Sequence, residues 1–219
     1  MKTCVLIPAY NEAQHIGGVI QDVRKYIPDI VVINDGSADD TEKIARENGA
    51  NVISLKQNKG KGEVLKLGFD YAVANNYDAV ITMDGDGQHS PGDILNLTET
   101  ASRPRVGVVV GNRMCNPEGM PPVRFAINLL MSFIISLICR QNVPDTQCGY
   151  RLIKVDVLRK VRLTSSKYEI ESEMIIKASR LGFKVASAPV KSVYAGQVSL
   201  INPVIDTWRF FIMLCRVLI

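Results

Sequence analysis

Five nearly continuous runs of β-branched and apolar residues recur in the first half of the chain: TCVLI (3–7), DIVVI (29–33), NVISL (51–55), DAVIT (78–82) and RVGVVV (105–110). A strand that reads apolar throughout, rather than alternating, is one buried on both faces. Between these runs apolar positions recur at helical spacing near 12–26, 39–48, 62–75 and 91–101. Strands of this kind joined by helices build a mostly parallel sheet with helices on both faces, so the pattern predicts an α/β, doubly wound fold.

The pattern changes after residue 111. A loop-like stretch, NRMCNPEGMPP (112–122), precedes the most apolar segment, FAINLLMSFIISLIC (125–139). A polar turn, QNVPDTQCG, follows, then a strand YRLIK, a charged helix around 169–181, a strand near 184–194 and a last helix. This half reads as an elaboration of the sheet, giving a single domain over 1–219 with a first half, 1–111, and a second, 112–219.

Fifteen helical residues span about 22 Å, short of a hydrocarbon core of about 30 Å, so 125–139 is expected not to cross a bilayer. Polar residues Arg124, Asn128, Ser132, Ser136 and Arg140 recur at every fourth position and draw a stripe along it. Two readings fit: a core helix with one wet edge, or an amphipathic helix lying in a membrane interface. The C-terminal TWRFFIMLCRVLI has a similar make-up, with Trp208, Arg209 and Arg216 among large apolar groups.

Polar clusters begin where the strands end: PAYNE (8–12), NDGSADDT (34–41), NKGKG (58–62) and MDGDGQH (83–89). In open parallel α/β sheets ligands bind beyond the carboxyl ends of the strands, and four such clusters on one rim point to a site. Singly, each has a plain explanation. Asp35-Gly36-Ser37 makes a turn, with Ser37 or Asp39 able to cap the next helix. NKGKG is not a Walker A loop, because the spacing of that motif is absent. Asp84-Gly85-Asp86-Gly87 would suit a hairpin, but Ser90-Pro91 opens a helix instead of a strand. Two carboxylates there would repel an anionic ligand, whereas a hard divalent cation between them reverses the sign and suits Mg²⁺ or Mn²⁺ shared with phosphate. His15 and His89 lack a companion at metal-ligand spacing and are read as structural or supporting residues.

Composition adds little. Apolar residues make up 47 % and charged residues 22 % of 219, an ordinary folded composition, and a net charge of +4 without a basic stripe gives no indication of nucleic acid. The five scattered cysteines form no Cys-x-x-Cys pair, which argues against a disulfide framework or zinc and fits a reducing cytosol. MKTCVLIPAYNE has no signal-peptide core, so the expected location is cytoplasmic, peripheral at the cytoplasmic face of a membrane.

In series, IPAYNE, NDGSADDT, NKGKG, MDGDGQH, VGNR, DTQCGYR and INPVIDTWRF resemble family 2 nucleotide-sugar glycosyltransferases of type A fold. Within them the chain is most similar to the dolichyl- and polyprenyl-phosphate hexosyltransferases, the group of the dolichol-phosphate mannose synthases. The resemblance implies that Pro8, Ala9, Tyr10, Glu12 and Gly85 line the nucleotide site, that Asp35 hydrogen-bonds base or ribose, and that Lys61 lies near the nucleotide. It implies that Asp84, Asp86 and Gln88 hold Mg²⁺ or Mn²⁺, that Arg113 and Arg124 hold the lipid phosphate, and that Asp145 and Gln147 sit near the transferred sugar. Two positions depart from the family pattern: Asn34 stands where members often have a first aspartate, and Leu200 where many carry a basic residue after the serine matching Ser199.

The implied reaction moves a hexose, mannose or glucose, from GDP-mannose or UDP-glucose to a polyprenyl or dolichyl phosphate, by single displacement with inversion. An acceptor phosphate is already anionic, so positioning rather than a strong base is required. If a saccharide or lipid hydroxyl were the acceptor, a carboxylate such as Asp145 would have to remove a proton. A non-catalytic nucleotide-binding module would be expected to lose its metal carboxylates, and a nucleotidyltransferase to carry a glycine- and arginine-rich first loop where PAYNE stands.

Overall fold

The structure is a computed structural model describing residues 1–191 and 203–218. β1 (Thr3–Ala9) leads to α1 (Ile16–Arg24), β2 (Ile30–Asn34), α2 (Thr41–Glu47), β3 (Asn51–Ser54), α3 (Lys61–Ala74) and β4 (Ala79–Thr82). A 3-10 turn (Pro91–Asp93) opens α4 (Ile94–Ala101). Then come β5 (Val106–Asn112), α5 (Pro122–Cys139), β6 (Arg151–Lys154), α6 (Val155–Leu158), α7 (Ile170–Arg180), β7 (Lys184–Pro189) and α8 (Pro203–Leu218).

The strands form one seven-stranded sheet in the order β3-β2-β1-β4-β6-β5-β7. Every pairing is parallel except those of β6, which runs antiparallel to both β4 and β5. The predicted α/β, mostly parallel, doubly wound sheet is therefore present, and the apolar runs fill its middle: β2, β4 and β5 are buried at every position. Burying one Val or Ile side chain contributes about 1.5–3 kcal/mol, which selects strands with no polar face. The reversal of β6 has a consequence for the rim. Arg151 pairs with Thr82 at the carboxyl end of β4, so the chain entering β6, residues 145–150, crosses the rim beside the acidic loop.

α1 begins at Ile16 rather than near residue 12, because the preceding residues bond across to the next loop. Asn11 N–H donates to Ser37 Oγ (2.9 Å), Glu12 N–H to Thr41 Oγ1 (2.8 Å) and Ala13 N–H to Asp39 Oδ2 (3.1 Å).

The apolar segment packs on the core through Met131, Ile135 and Cys139, but its wet edge is not the polar one. α5 begins at Pro122 and has 18 residues, about 27 Å of helix, three residues more than the apolar segment alone, and by length and composition only it is long and apolar enough to cross a membrane. The middle of its polar stripe faces inward, whereas Arg124 is half-buried and Arg140 exposed. Asn128 and Ser132 are buried, and Ser132 Oγ accepts the Thr146 N–H at 2.8 Å. Ser136 Oγ accepts the Val143 N–H at 3.0 Å. Short hydroxyls satisfy the backbone of the 143–146 loop, which must be hydrogen-bonded once buried. The apolar face looks out: Val123, Leu129, Leu130, Phe133 and Leu137 are all exposed. α8 packs on α7 through Phe210, Met213, Leu214 and Val217, and leaves Trp208, Phe211 and Ile212 exposed. Ser199, Leu200 and the strand expected to continue to 194 lie, from residue 192 onward, outside the described residues.

Candidate active site

The rim loops are bonded to one another before any ligand is considered. Asn11 takes a left-handed backbone (φ 56°), a conformation asparagine tolerates, and its Oδ1 accepts the Ala38 N–H at 2.9 Å. Asn34 Oδ1 accepts from Ser37 N–H (3.1 Å) and Ser37 Oγ (2.5 Å). The Asp35 carboxylate, buried, accepts Lys59 N–H at 2.7 Å and Gly60 N–H at 2.8 Å, one on each oxygen. Asp35 thus anchors the NKGKG loop to the second strand; the base or ribose contact implied for it would come on top of that role. Gly36 (φ 70°) is forced by the same closeness, since a Cβ there would stand 2.7 Å from the Gln57 backbone. Along the first loop Pro8 is half-buried, Ala9 buried and Tyr10 exposed.

The structure brings Lys61, Asp84, Asp86 and Gln88 together with Glu12. Lys61 Nζ, at the start of α3, is 2.7 Å from Asp84 Oδ1 and 2.8 Å from Glu171 Oε1. His89 Nε2 makes a long contact to Asp84 Oδ2 at 3.4 Å, and its ring packs 5.0 Å from that of Tyr150. Burial alone would push the Asp84 carboxyl up; the Lys61 ammonium and His89 override it and hold Asp84 far below the usual carboxylate range. Burial would likewise lower Lys61, and Asp84 with Glu171 raise it above its ordinary value. Asp86 Oδ1 accepts the Gln88 N–H at 3.0 Å, a turn that Gly87 completes with φ 76°. The Glu12 carboxyl is pushed up, first by burial and then by the charges of Asp86 and Asp84, while His15, 3.1 Å away, pulls it down.

Among the described residues no three His, Cys, Asp or Glu side chains form a ready-made metal cage. A hard cation of the Mg²⁺ class is bound by one or two carboxylates and completed by water and substrate phosphate. Asp84 is ionised, one-third exposed and, among the described residues, carries only the long His89 contact on Oδ2. Asp86 and Gln88 add oxygen donors beside it. The donor set fits Mg²⁺ or Mn²⁺.

A second cluster lies at the start of the segment that crosses the rim. Arg113 donates to Asp145 through Nε (2.7 Å), Nη2 (2.9 Å) and its own backbone N–H (3.0 Å), and the Asp145 side chain is fully buried. The residues implied to hold a lipid phosphate and to face the sugar therefore pair with each other. Gln147 donates to Thr146 Oγ1 at 3.1 Å, and Arg124 is half-buried in the first turn of α5. Asp145 and Gly149 are joined by four residue steps, at most about 14 Å of chain. A Cβ on Gly149 would stand 2.9 Å from Lys61 Nζ, 3.0 Å from Asp84 Oδ2 and 3.2 Å from Glu171 Oε1.

Glu171 and Arg151 were not among the residues singled out in the sequence. Arg151 is buried in β6, donating to the carbonyls of Cys148 (2.7 Å), Thr146 (2.8 Å) and Glu171, with Nη2 3.7 Å from Glu171 Oε2. The signal was present: an arginine inside an apolar strand needs buried partners. Glu171 and Glu173, two apart, point to different faces of a helix that also carries Ile170, Met174 and Ile175, so one of them must turn inward.

Residues 4–162 match the model of glycosyl transferase family 2. A UDP-N-acetylglucosamine–dolichyl-phosphate N-acetylglucosaminyltransferase from Methanococcus voltae is 32 % identical over 213 residues, covering 87 % of this chain and 85 % of its own. An undecaprenyl-phosphate mannosyltransferase from Micrococcus luteus is 26 % identical, over 88 % and 84 % of the two chains. Among solved structures, glucosyl-3-phosphoglycerate synthase from Mycobacterium tuberculosis, in complex with Mn²⁺, UDP and glucosyl-3-phosphoglycerate, superposes with a TM-score of 0.77. It is 19 % identical, covering 99 % of this chain and 79 % of that one. At that identity the likeness concerns the type A fold.

Proposed function

The chain belongs to glycosyl transferase family 2, and from that premise we propose that it moves a hexose from a nucleotide-diphosphate sugar to a polyprenyl or dolichyl phosphate. One observation carries the choice of acceptor. A hydroxyl acceptor would need a carboxylate to take its proton, and Asp145, the carboxylate implied to lie near the sugar, is fully buried with both oxygens on Arg113. A phosphate acceptor needs no such base. The names of the Methanococcus and Micrococcus relatives support the same class of acceptor.

Asp84, Asp86 and Gln88 would hold Mg²⁺ or Mn²⁺, and when bound the cation neutralises charge gathering on the leaving diphosphate. Glu12, Asp35, Tyr10 and the backbone of Pro8, Ala9 and Gly85 line the nucleotide, with Lys61 on its diphosphate side. Arg124 takes the acceptor phosphate. Arg113, forked onto Asp145, fixes the turn after β5. With the two anionic reactants held in line in this way, the reaction would be a single displacement with inversion.

The exposed faces of α5 and α8 would be the apolar surface for the lipid, with the enzyme peripheral at the cytoplasmic face of a membrane. Each isoprenoid methylene withdrawn from water contributes about 0.8 kcal/mol. Residues 1–111 would then serve the donor and 112–219 the acceptor, within one domain.

The test is a panel of radiolabelled GDP-mannose, UDP-glucose and UDP-N-acetylglucosamine, each with polyprenyl phosphate and Mg²⁺ or Mn²⁺. One donor should send label into the organic extract. Label found only in water-soluble products would refute the lipid acceptor.

A further inference from the structure

The Lys61 ammonium lies on Oδ1 of Asp84, the carboxylate whose other oxygen, Oδ2, is the one open to the cation. It is held almost evenly, 2.7 Å from Asp84 Oδ1 and 2.8 Å from Glu171 Oε1, with only 15 % of the side chain exposed. The two carboxylates differ in their fixing. Asp84 is one-third exposed on its glycine-rich loop, whereas Glu171 is 11 % exposed on α7. Arg151 secures Glu171 twice, at its carbonyl and beside its carboxylate, and is itself anchored by the carbonyls of Cys148 and Thr146. Gly149 leaves room for all three groups to meet, since its Cβ would crowd each of them. A lysine ends in a compact charge on a flexible stem, so a small rotation shifts it from one carboxylate to the other.

We propose that Lys61 and the divalent cation compete for Asp84, and that Glu171 is the second seat that receives the ammonium when the cation binds. An ammonium tethered to one oxygen of the carboxylate must move aside as a cation takes the other, because like charges a few ångströms apart repel. Glu171 lowers the cost of that displacement by keeping the ammonium paired. Lys61 and Glu171 thereby set the cation affinity without being ligands. The inference rests on the reading of Asp84 and Asp86 as the cation's ligands.

The test is Mn²⁺ binding followed by electron paramagnetic resonance, without donor or acceptor, on the wild-type chain and on Lys61→Met, Glu171→Gln, the double variant and Asp86→Ala, each checked by thermal melting. Lys61→Met should tighten binding by about tenfold and Glu171→Gln weaken it by about fivefold, while adding Glu171→Gln to Lys61→Met should change it by less than about twofold. The cycle separates competition from a plain field effect, because a field effect of Glu171 persists when the lysine is gone. Equal weakening by Glu171→Gln in both backgrounds, or no tightening in Lys61→Met, overturns the competition even if Asp86→Ala abolishes binding. Binding that Asp86→Ala leaves intact, or no binding by any variant at millimolar Mn²⁺, overturns the ligand reading and the competition together.

Discussion

The Arg113 guanidinium forks onto Asp145, with Nε 2.7 Å from Oδ2 and Nη2 2.9 Å from Oδ1, and neither side chain is more than 7 % exposed. Each ion depends on the other for its solvation. The pair joins the turn after β5 to the segment that crosses the rim before β6.

Removing one partner strands a buried charge, which costs about 3–5 kcal/mol. Asp145→Ala and Arg113→Ala are each expected to lower unfolding free energy by that amount in urea titrations. An Arg113→Met, Asp145→Leu double variant should recover most of it. Full stability in either single variant would show that the pair is not buried in solution.

Glu173 makes the same kind of link between α7 and the loop before it. Its carboxylate, unexposed, accepts Thr164 N–H, Thr164 Oγ1, Ser165 N–H and Lys177 Nζ. Burial would raise its pKa, but the Lys177 and backbone bonds prevail and bring it from 4.5 down to about 2. A carboxyl depressed on folding stabilises the fold fully above its unfolded pKa and loses that contribution as pH falls through the folded value. Wild type should therefore lose on the order of 3 kcal/mol between pH 5 and pH 2 from this group. Glu173→Gln should be less stable at pH 7, with the gap to wild type closing across that window.

Gly149→Ala tests the crowding around Lys61. Its methyl would meet the ammonium and both carboxylates at 2.9–3.2 Å, and the backbone needs no left-handed conformation there. The expectation is a loss of transferase kcat/KM of at least about tenfold, with a melting temperature close to wild type. Unchanged kinetics would contradict the close approach.

The outer face of α5 is predicted to carry vesicle binding. Leu130→Glu with Phe133→Glu alters two exposed side chains, so the fold should hold. Co-sedimentation with liposomes should fall severalfold, following the cost of placing charge in the apolar layer. Unchanged sedimentation would remove α5 from the membrane contact.

The first half of the chain was legible because its strands are buried on both faces, leaving unbroken runs of Val and Ile that only a covered sheet explains. The antiparallel direction of β6 was not legible, since Arg151–Lys154 has the same composition whichever way it runs. The stripe from Arg124 to Arg140 is legible as a stripe, but not that its middle, Asn128, Ser132 and Ser136, turns inward while Arg140 stays exposed. Periodicity tells which residues share a face; it does not tell what covers that face. The rim clusters located Asp84, Asp86 and Lys61, whereas Glu171 reaches Lys61 from a distant helix and shows itself only when α7 is packed. Arg113 and Asp145, 32 residues apart, were each placed in the site, but sequence order gave no indication that they neutralise one another.

The acceptor is the centre of the account. With the donor that labels the organic phase, initial rates should be compared for polyprenyl phosphate and the matching polyprenol in the same detergent. Transfer to the phosphate with none above background to the alcohol is the predicted result. Comparable transfer to polyprenol would contradict it, because an alcohol needs the base that Asp145, locked onto Arg113, is in no position to provide.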